Sequence, residues 1–379
     1  MQSPNDGNMT KEIVIRSGLL LLAIALNALE FFIPRIPLFP WLKPGIANIV
    51  TLLWIIRYGF VETILFALLR TWIVSFYFGF SFLTFSLGMS GALCASCAMY
   101  VCWRFLGRYA LMGTVGIGII GALFHNAGQL CAVYVMMARN LRLFYQVPVM
   151  VAASVLFGGI VGLLVPSLIK IVSDDTLQNR IPTARLEITI KPVSRSHAAV
   201  CTLLLFFCLA LVFIDSVRLL LFGAVFITGL IQVSVRGSVK AFFYPLQRFW
   251  LLFIFIGVLH LFFTYGARYE SLPFITREGL LSAVKQWLRL WAWLQTTVLF
   301  LRYSFHTAVL YALEKVFSAH RITLYCGLIA VEKFPAVIAM VQKRSRALLK
   351  ILITKPSRLV NDIFTAIVDS LASETDARQ

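Results

Sequence analysis

Six polar or ionisable side chains stand inside apolar runs, where such groups are costly and function is the first thing to ask of them. They are Glu30, Asn48, Arg70, His125, Asn126 and Gln129. His125 and Gln129 are four residues apart and share one face of a helix. One reading gathers all six into a cavity that binds a small polar solute. The other is structural: Glu30 pairs with Arg70, and the amides bond neighbouring helices. Four basic residues lie in two connections on the same side, Arg35 and Lys43 in one, Arg139 and Arg142 in the other. They would suit an anionic solute at the mouth of a cavity, Arg139 above all. They would equally suit side chains reaching toward lipid headgroups.

Other chemistry is poorly represented. No GxxxxGK[ST] sequence occurs, so ATP hydrolysis by a P-loop is excluded. Asp174-Asp175-Thr176-Leu177-Gln178 lacks the third aspartate of a DDxxD and stands alone, so a magnesium diphosphate site is not expected there. The seven cysteines all fall in apolar stretches, where a thiol behaves as a small hydrophobe. No catalytic residue, metal ligand or cofactor is assigned, and the expectation is a non-catalytic subunit.

Holding these residues requires membrane helices. The chain has 379 residues, 60% hydrophobic and 13% charged, with a mean hydropathy of +0.87. A soluble domain has roughly a quarter of its residues charged. Six apolar segments fill the first half, at about 13–33, 45–59, 60–79, 82–103, 110–137 and 145–172. A polar stretch, 173–197, reads as a cytoplasmic linker. Segments 198–214, 217–233, 249–266 and 277–303 follow, and 304–372 is amphipathic rather than uniformly apolar. The net charge is +18. Its basic residues sit mostly in short connections, which points to membrane topology rather than to nucleic acid. With the N-terminus in the cytoplasm, ten basic residues of the first six helices and linker face inward and four outward. That count favours an N-inside, multi-pass protein of the inner or plasma membrane.

Four runs, LKPGIANIVTLL (42–53), ALLRTWIVSFYFG (67–79), GALFHNAGQL (121–130) and FYQVPVMVAASVLFGGIVGLL (144–164), occur in this order. Over about 13–172 the chain resembles the family labelled both Gx transporter and heptaprenyl diphosphate synthase component I. That family is similar to the six-helix substrate-binding S components of energy-coupling factor (ECF) transporters. The resemblance implies roles for Gly45, Ala47, Asn48, Arg70, His125, Asn126, Gly128 and Gln129. Lys43-Pro44-Gly45 departs from the expected Lys or Arg, then Leu, then Gly.

In the second half, 333–352 places Phe334, Val337, Ile338, Val341, Leu348, Leu349 and Leu352 on one helical face, with Lys343, Arg344, Arg346 and Lys350 crowding its end. Such a helix lies in the membrane interface, or lays its apolar face in a partner's groove. LHLFFTYGARYESLPFITREGLLSAVKQWLRLW (259–291), LRYSFHTAVLYALEKVF (301–317) and GLIAVEKFPAVIAMVQKRSRALL (327–349) are similar to the transmembrane T component of ECF transporters. The resemblance implies a turn at Glu332-Lys333-Phe334-Pro335. It also implies coupling helices that dock into two separate cytoplasmic ABC-type ATPases through an Ala-Arg-Gly-like motif. Its nearest equivalent here is Ser345-Arg346-Ala347, with Arg344 in support.

The expectation is therefore an all-α polytopic membrane protein with an S-like bundle (13–172) fused to a T-like module (198–352). Tails at 1–12 and 353–379 complete it. It would take up a small solute, an anion if the four outer cations serve it, with ATPases as partners. The alternative is an accessory membrane subunit of polyprenyl diphosphate or quinone biosynthesis.

Overall fold

A computed structural model describes residues 4–30, 45–77, 82–139, 141–174, 194–235, 239–269, 272–302 and 305–377. Most of the 173–197 linker, and the loop carrying Arg35 and Lys43, lie outside these residues.

Six helices make the first half: α1 (Pro4–Glu30), α2 (Asn48–Tyr58), α3 (Phe60–Tyr77), α4 (Phe82–Cys102), α5 (Thr114–Val133) and α6 (Val147–Val172). Gly59 breaks α2 from α3 with φ +85°, a conformation that L side chains rarely adopt. A π-helical turn, Tyr134–Ala138, extends α5 and ends at Arg139 in the left-handed region.

Small residues fix the contact between α5 and α6. A Cβ on Gly162 would lie 2.3 Å from Val115 Cα and 2.4 Å from Thr114 O, and one on Gly118 would lie 2.5 Å from Gly158 O. Hydrocarbon tails give helices no hydrophobic reason to associate, so close backbone approach and van der Waals contact hold such pairs.

The second half contains α7 (Arg195–Phe213), α8 (Val217–Val235) and α9 (Val239–Phe263), the last kinked at Phe249. A small antiparallel hairpin, β1 (Arg268–Tyr269) and β2 (Leu272–Thr276), leads into α10 (Arg277–Arg302). Then come α11 (Phe305–Val316), α12 (Arg321–Thr354) and α13 (Pro356–Ala377). The Thr276-Arg277-Glu278-Gly279-Leu280 sequence has a local reason. Thr276 Oγ1 accepts from Gly279 N at 3.0 Å and caps α10. A side chain at Gly279 would meet His260 O of α9 at 2.6 Å.

Seven helical stretches among the described residues are long and apolar enough to cross a membrane. Many large apolar side chains face outward, including Leu163 on α6, Phe206 and Phe213 on α7 and Phe222 on α8. Exposure of that kind suits lipid and identifies a multi-pass membrane protein.

Three features differ from the sequence reading. The stretch expected as an N-terminal tail is helical from Pro4 onward, as the start of α1. The turn expected at 332–335 is absent, because α12 runs without interruption from Arg321 to Thr354 with Pro335 inside it. The stretch expected as a C-terminal tail is α13, whose Leu359, Val360, Ile363, Phe364, Ile367 and Val368 are buried. Those residues recur at helical spacing and make a continuous apolar stripe. Both α12 and α13 pack on α1, so the first helix is enclosed by the last two.

Candidate functional site

Two buried polar groups occupy the six-helix half. In the first, α1, α2 and α3 bring Glu30, Asn48, Thr51 and Arg70 together. Arg70 Nη1 donates to Thr51 Oγ1 at 3.0 Å and to Asn48 Oδ1 at 3.5 Å. Glu30 Oε1 accepts from Ala47 N at 3.4 Å and lies within electrostatic reach of Arg70. Gly45, at φ +68°, makes the turn that starts α2, and its carbonyl accepts from Asn48 N at 2.9 Å. That turn aims the Asn48 side chain at Arg70.

In the second group, Gln129 Nε2 lies 3.1 Å from His125 Nε2, one turn away on α5. Asn126 Nδ2 donates to Ser154 Oγ on α6 at 2.9 Å. Ser154 passes its own proton back to Met150 O at 2.7 Å. Gly91 of α4 makes room for this group, since a Cβ there would lie 2.8 Å from Gln129 Cγ and 3.0 Å from the His125 ring.

Several polar atoms in the two groups have no partner. Arg70 Nε, Asn126 Oδ1 and Gln129 Oε1 are buried and lack a hydrogen bond among the described residues. An unmet buried polar atom costs about 1–3 kcal/mol. These three are one donor and two acceptors.

Arg139 belongs to neither group. It donates to Val212 O on α7 and lies 3.7 Å from Asp215 Oδ1, in the connection between α7 and α8. Lys285 and Arg289 of α10 join the same carboxylate at 2.8 and 3.5 Å. Their proximity, Lys285 first, holds the Asp215 carboxyl below its ordinary value. Arg142 stacks over Tyr265 at 4.3 Å.

Sequence reading missed Thr51, Ser154 and Asp215. A hydroxyl one turn after Asn48 was a usable signal for Thr51. Nothing in the sequence announced Asp215 as a hub, since its partners come from other elements.

A third polar knot lies midway along α1 and at the start of α3. Arg16 bonds Glu12 at 3.0 Å and Glu62 at 3.2 Å, and its guanidinium covers the Tyr58 ring at 4.1 Å. From α12 and the turn before it, His320 Nδ1 lies 2.8 Å from Glu62, and Thr323 Oγ1 donates to Glu62 and accepts from Arg16. Of the residues expected at the ATPase contact, Arg344 and Ala347 lie exposed on α12. The side chains of Ser345 and Arg346 are outside those described.

With this geometry in place, comparison with known proteins bears on the first half alone. Residues 19–168 match the family described as heptaprenyl diphosphate synthase component I. This component I region runs from within α1 to near the end of α6 and contains both buried polar groups. No curated protein and no solved structure matches the chain. The T-like reading of the second half therefore rests on its own residues.

Proposed function

We propose that the chain is a membrane subunit of an energy-coupling factor transporter, with the component I region binding a small polar solute and the second half linking it to separate cytoplasmic ATPases. The observation that carries the binding half is the set of unpartnered buried atoms on Arg70, Asn126 and Gln129. A solute with carboxylate or hydroxyl oxygens and N–H groups satisfies them.

Support for coupling comes from α12. One unbroken helix joins the Arg16–Glu62–Thr323 knot to the basic segment around Arg344, 21 residues and roughly 30 Å away at 1.5 Å per residue. Force applied at that segment reaches α1 and α3 without crossing a loop. By length and composition Ser318–Arg344 could span a bilayer. Near the middle of that stretch Glu332 pairs with Lys333 at 3.8 Å.

The test is co-purification from native membranes. Arg346→Glu is expected to abolish association with ABC-type ATPases while membrane insertion is unchanged. Undiminished ATPase recovery overturns the coupling half. Small molecules retained by the purified chain, identified by mass spectrometry, test the binding half.

The description of the matched family favours a second reading, an accessory subunit of polyprenyl diphosphate synthesis. Recovery of a soluble prenyl synthase in the same purification, in place of ATPases, selects it.

A further inference from the structure

An apolar groove of about 620 Å³ runs between α4, α5 and α7, within the size range of ligand pockets. Cys94 and Phe124 line one part of it, and Val135, Leu209, Val212 and Phe213 another. Phe213, Leu209, Val135 and Phe124 are all exposed, so the groove opens where lipid tails would lie.

The Asp215 hub sits at the groove's rim. Arg139 holds Val212 O, and Arg289 holds Leu211 O and Ile214 O, all at the end of α7 that forms the groove wall. Capping the α7 carbonyls explains why two cations gather there. It does not explain the third. Among the described residues, Arg139, Lys285 and Arg289 share the single carboxylate of Asp215, which leaves two positive charges uncompensated. Arg289 is buried and spends its donors on carbonyls. Arg139 is 36% exposed and Lys285 18%, and both keep donors to spare.

We infer that this groove holds an anionic phospholipid, its phosphate on Arg139 and Lys285 and one acyl chain along α4, α5 and α7. A soluble anion would use the cations and leave the groove unexplained. A neutral lipid would use the groove and leave the two excess charges unexplained. The occupant spans the contact between the component I region and the second half, since Arg139 belongs to one and Asp215 to the other. This is distinct from the solute groups around Arg70 and His125, and neither needs the other.

Native mass spectrometry of the full chain in detergent tests it. The probes are phosphatidylglycerol, phosphatidylcholine, a polyprenyl phosphate and inorganic phosphate, each added separately. The expected result is retention of phosphatidylglycerol at least ten-fold above phosphatidylcholine, with no retention of inorganic phosphate. Arg139→Ala with Lys285→Ala should erase that preference. Ala132→Trp, which fills the groove and leaves the cations in place, should remove the lipid adduct; it keeps the test decisive if the charge variants fail to fold. Equal retention of both phospholipids overturns the inference, as does binding of inorganic phosphate alone or unchanged adducts on Ala132→Trp. Stronger retention of polyprenyl phosphate than of phosphatidylglycerol overturns the choice of phospholipid.

Discussion

Arg70 carries its charge in the middle of α3, held by Asn48 and Thr51 and facing Glu30. A guanidinium placed so deep needs partners, and its Nε has none among the described residues. Arg70→Ala is expected to lower retention of the native solute at least ten-fold, about 1.4 kcal/mol. Arg70→Lys should recover part of it, because the charge returns without the fork that reaches Thr51 and Asn48. Retention measured by mass spectrometry on the purified variants decides the matter; unchanged retention makes Arg70 a structural residue. Polar residues inside apolar runs were legible from sequence because the membrane makes each one conspicuous. Asp215 was not, because a carboxylate in a connection is unremarkable until folding brings Lys285 and Arg289 to it from 70 or more residues away. The place of Arg139 was hidden for the same reason. Its position on the chain is near His125 and Gln129, but its side chain turns to α7.

The helices themselves were legible wherever apolar composition ran for a full span. They were less so where burial comes from protein rather than lipid. The helix α13 has polar residues on one face and an apolar stripe on the other, so it reads as a tail until α1 is seen against it. At this scale the contact between α5 and α6 is the most exacting. Gly162→Leu would drive a side chain into the backbone of Thr114 and Val115. It is expected to destabilise the protein by about 1–3 kcal/mol, read as a lower thermal midpoint in detergent. Gly159, on the same helix, has open space at its Cβ position. Gly159→Leu is therefore expected to leave the midpoint nearly unchanged, and equal losses from both would show that glycine is not needed for close approach here.

Across the whole molecule, the two halves are tied at both ends of the bundle. Asp215 joins Arg139 to α10 at one end, and Arg16 and Glu62 grip α12 at the other. Trp293 of α10 also meets Phe82 of α4, ring centres 5.9 Å apart. Arg16→Ala removes one partner from a largely buried ion pair and leaves Glu62 with His320 and Thr323. The expected cost is about 3 kcal/mol, with faster amide exchange across 321–330. Exchange unchanged in that stretch would mean that the knot does not fasten α12 to the first half.

The enclosure of α1 by α12 and α13 also sets an order of events during synthesis. Arg16 and Thr323 are 307 residues apart. At about 5–20 residues per second, translation separates them by roughly 15–60 s. For that interval α1 is in the bilayer without the helices that later cover it, and Arg16 has Glu12, Tyr58 and Glu62 for company. A helix made early is thus covered late, so quality control in the membrane has roughly 15–60 s in which to find it uncovered.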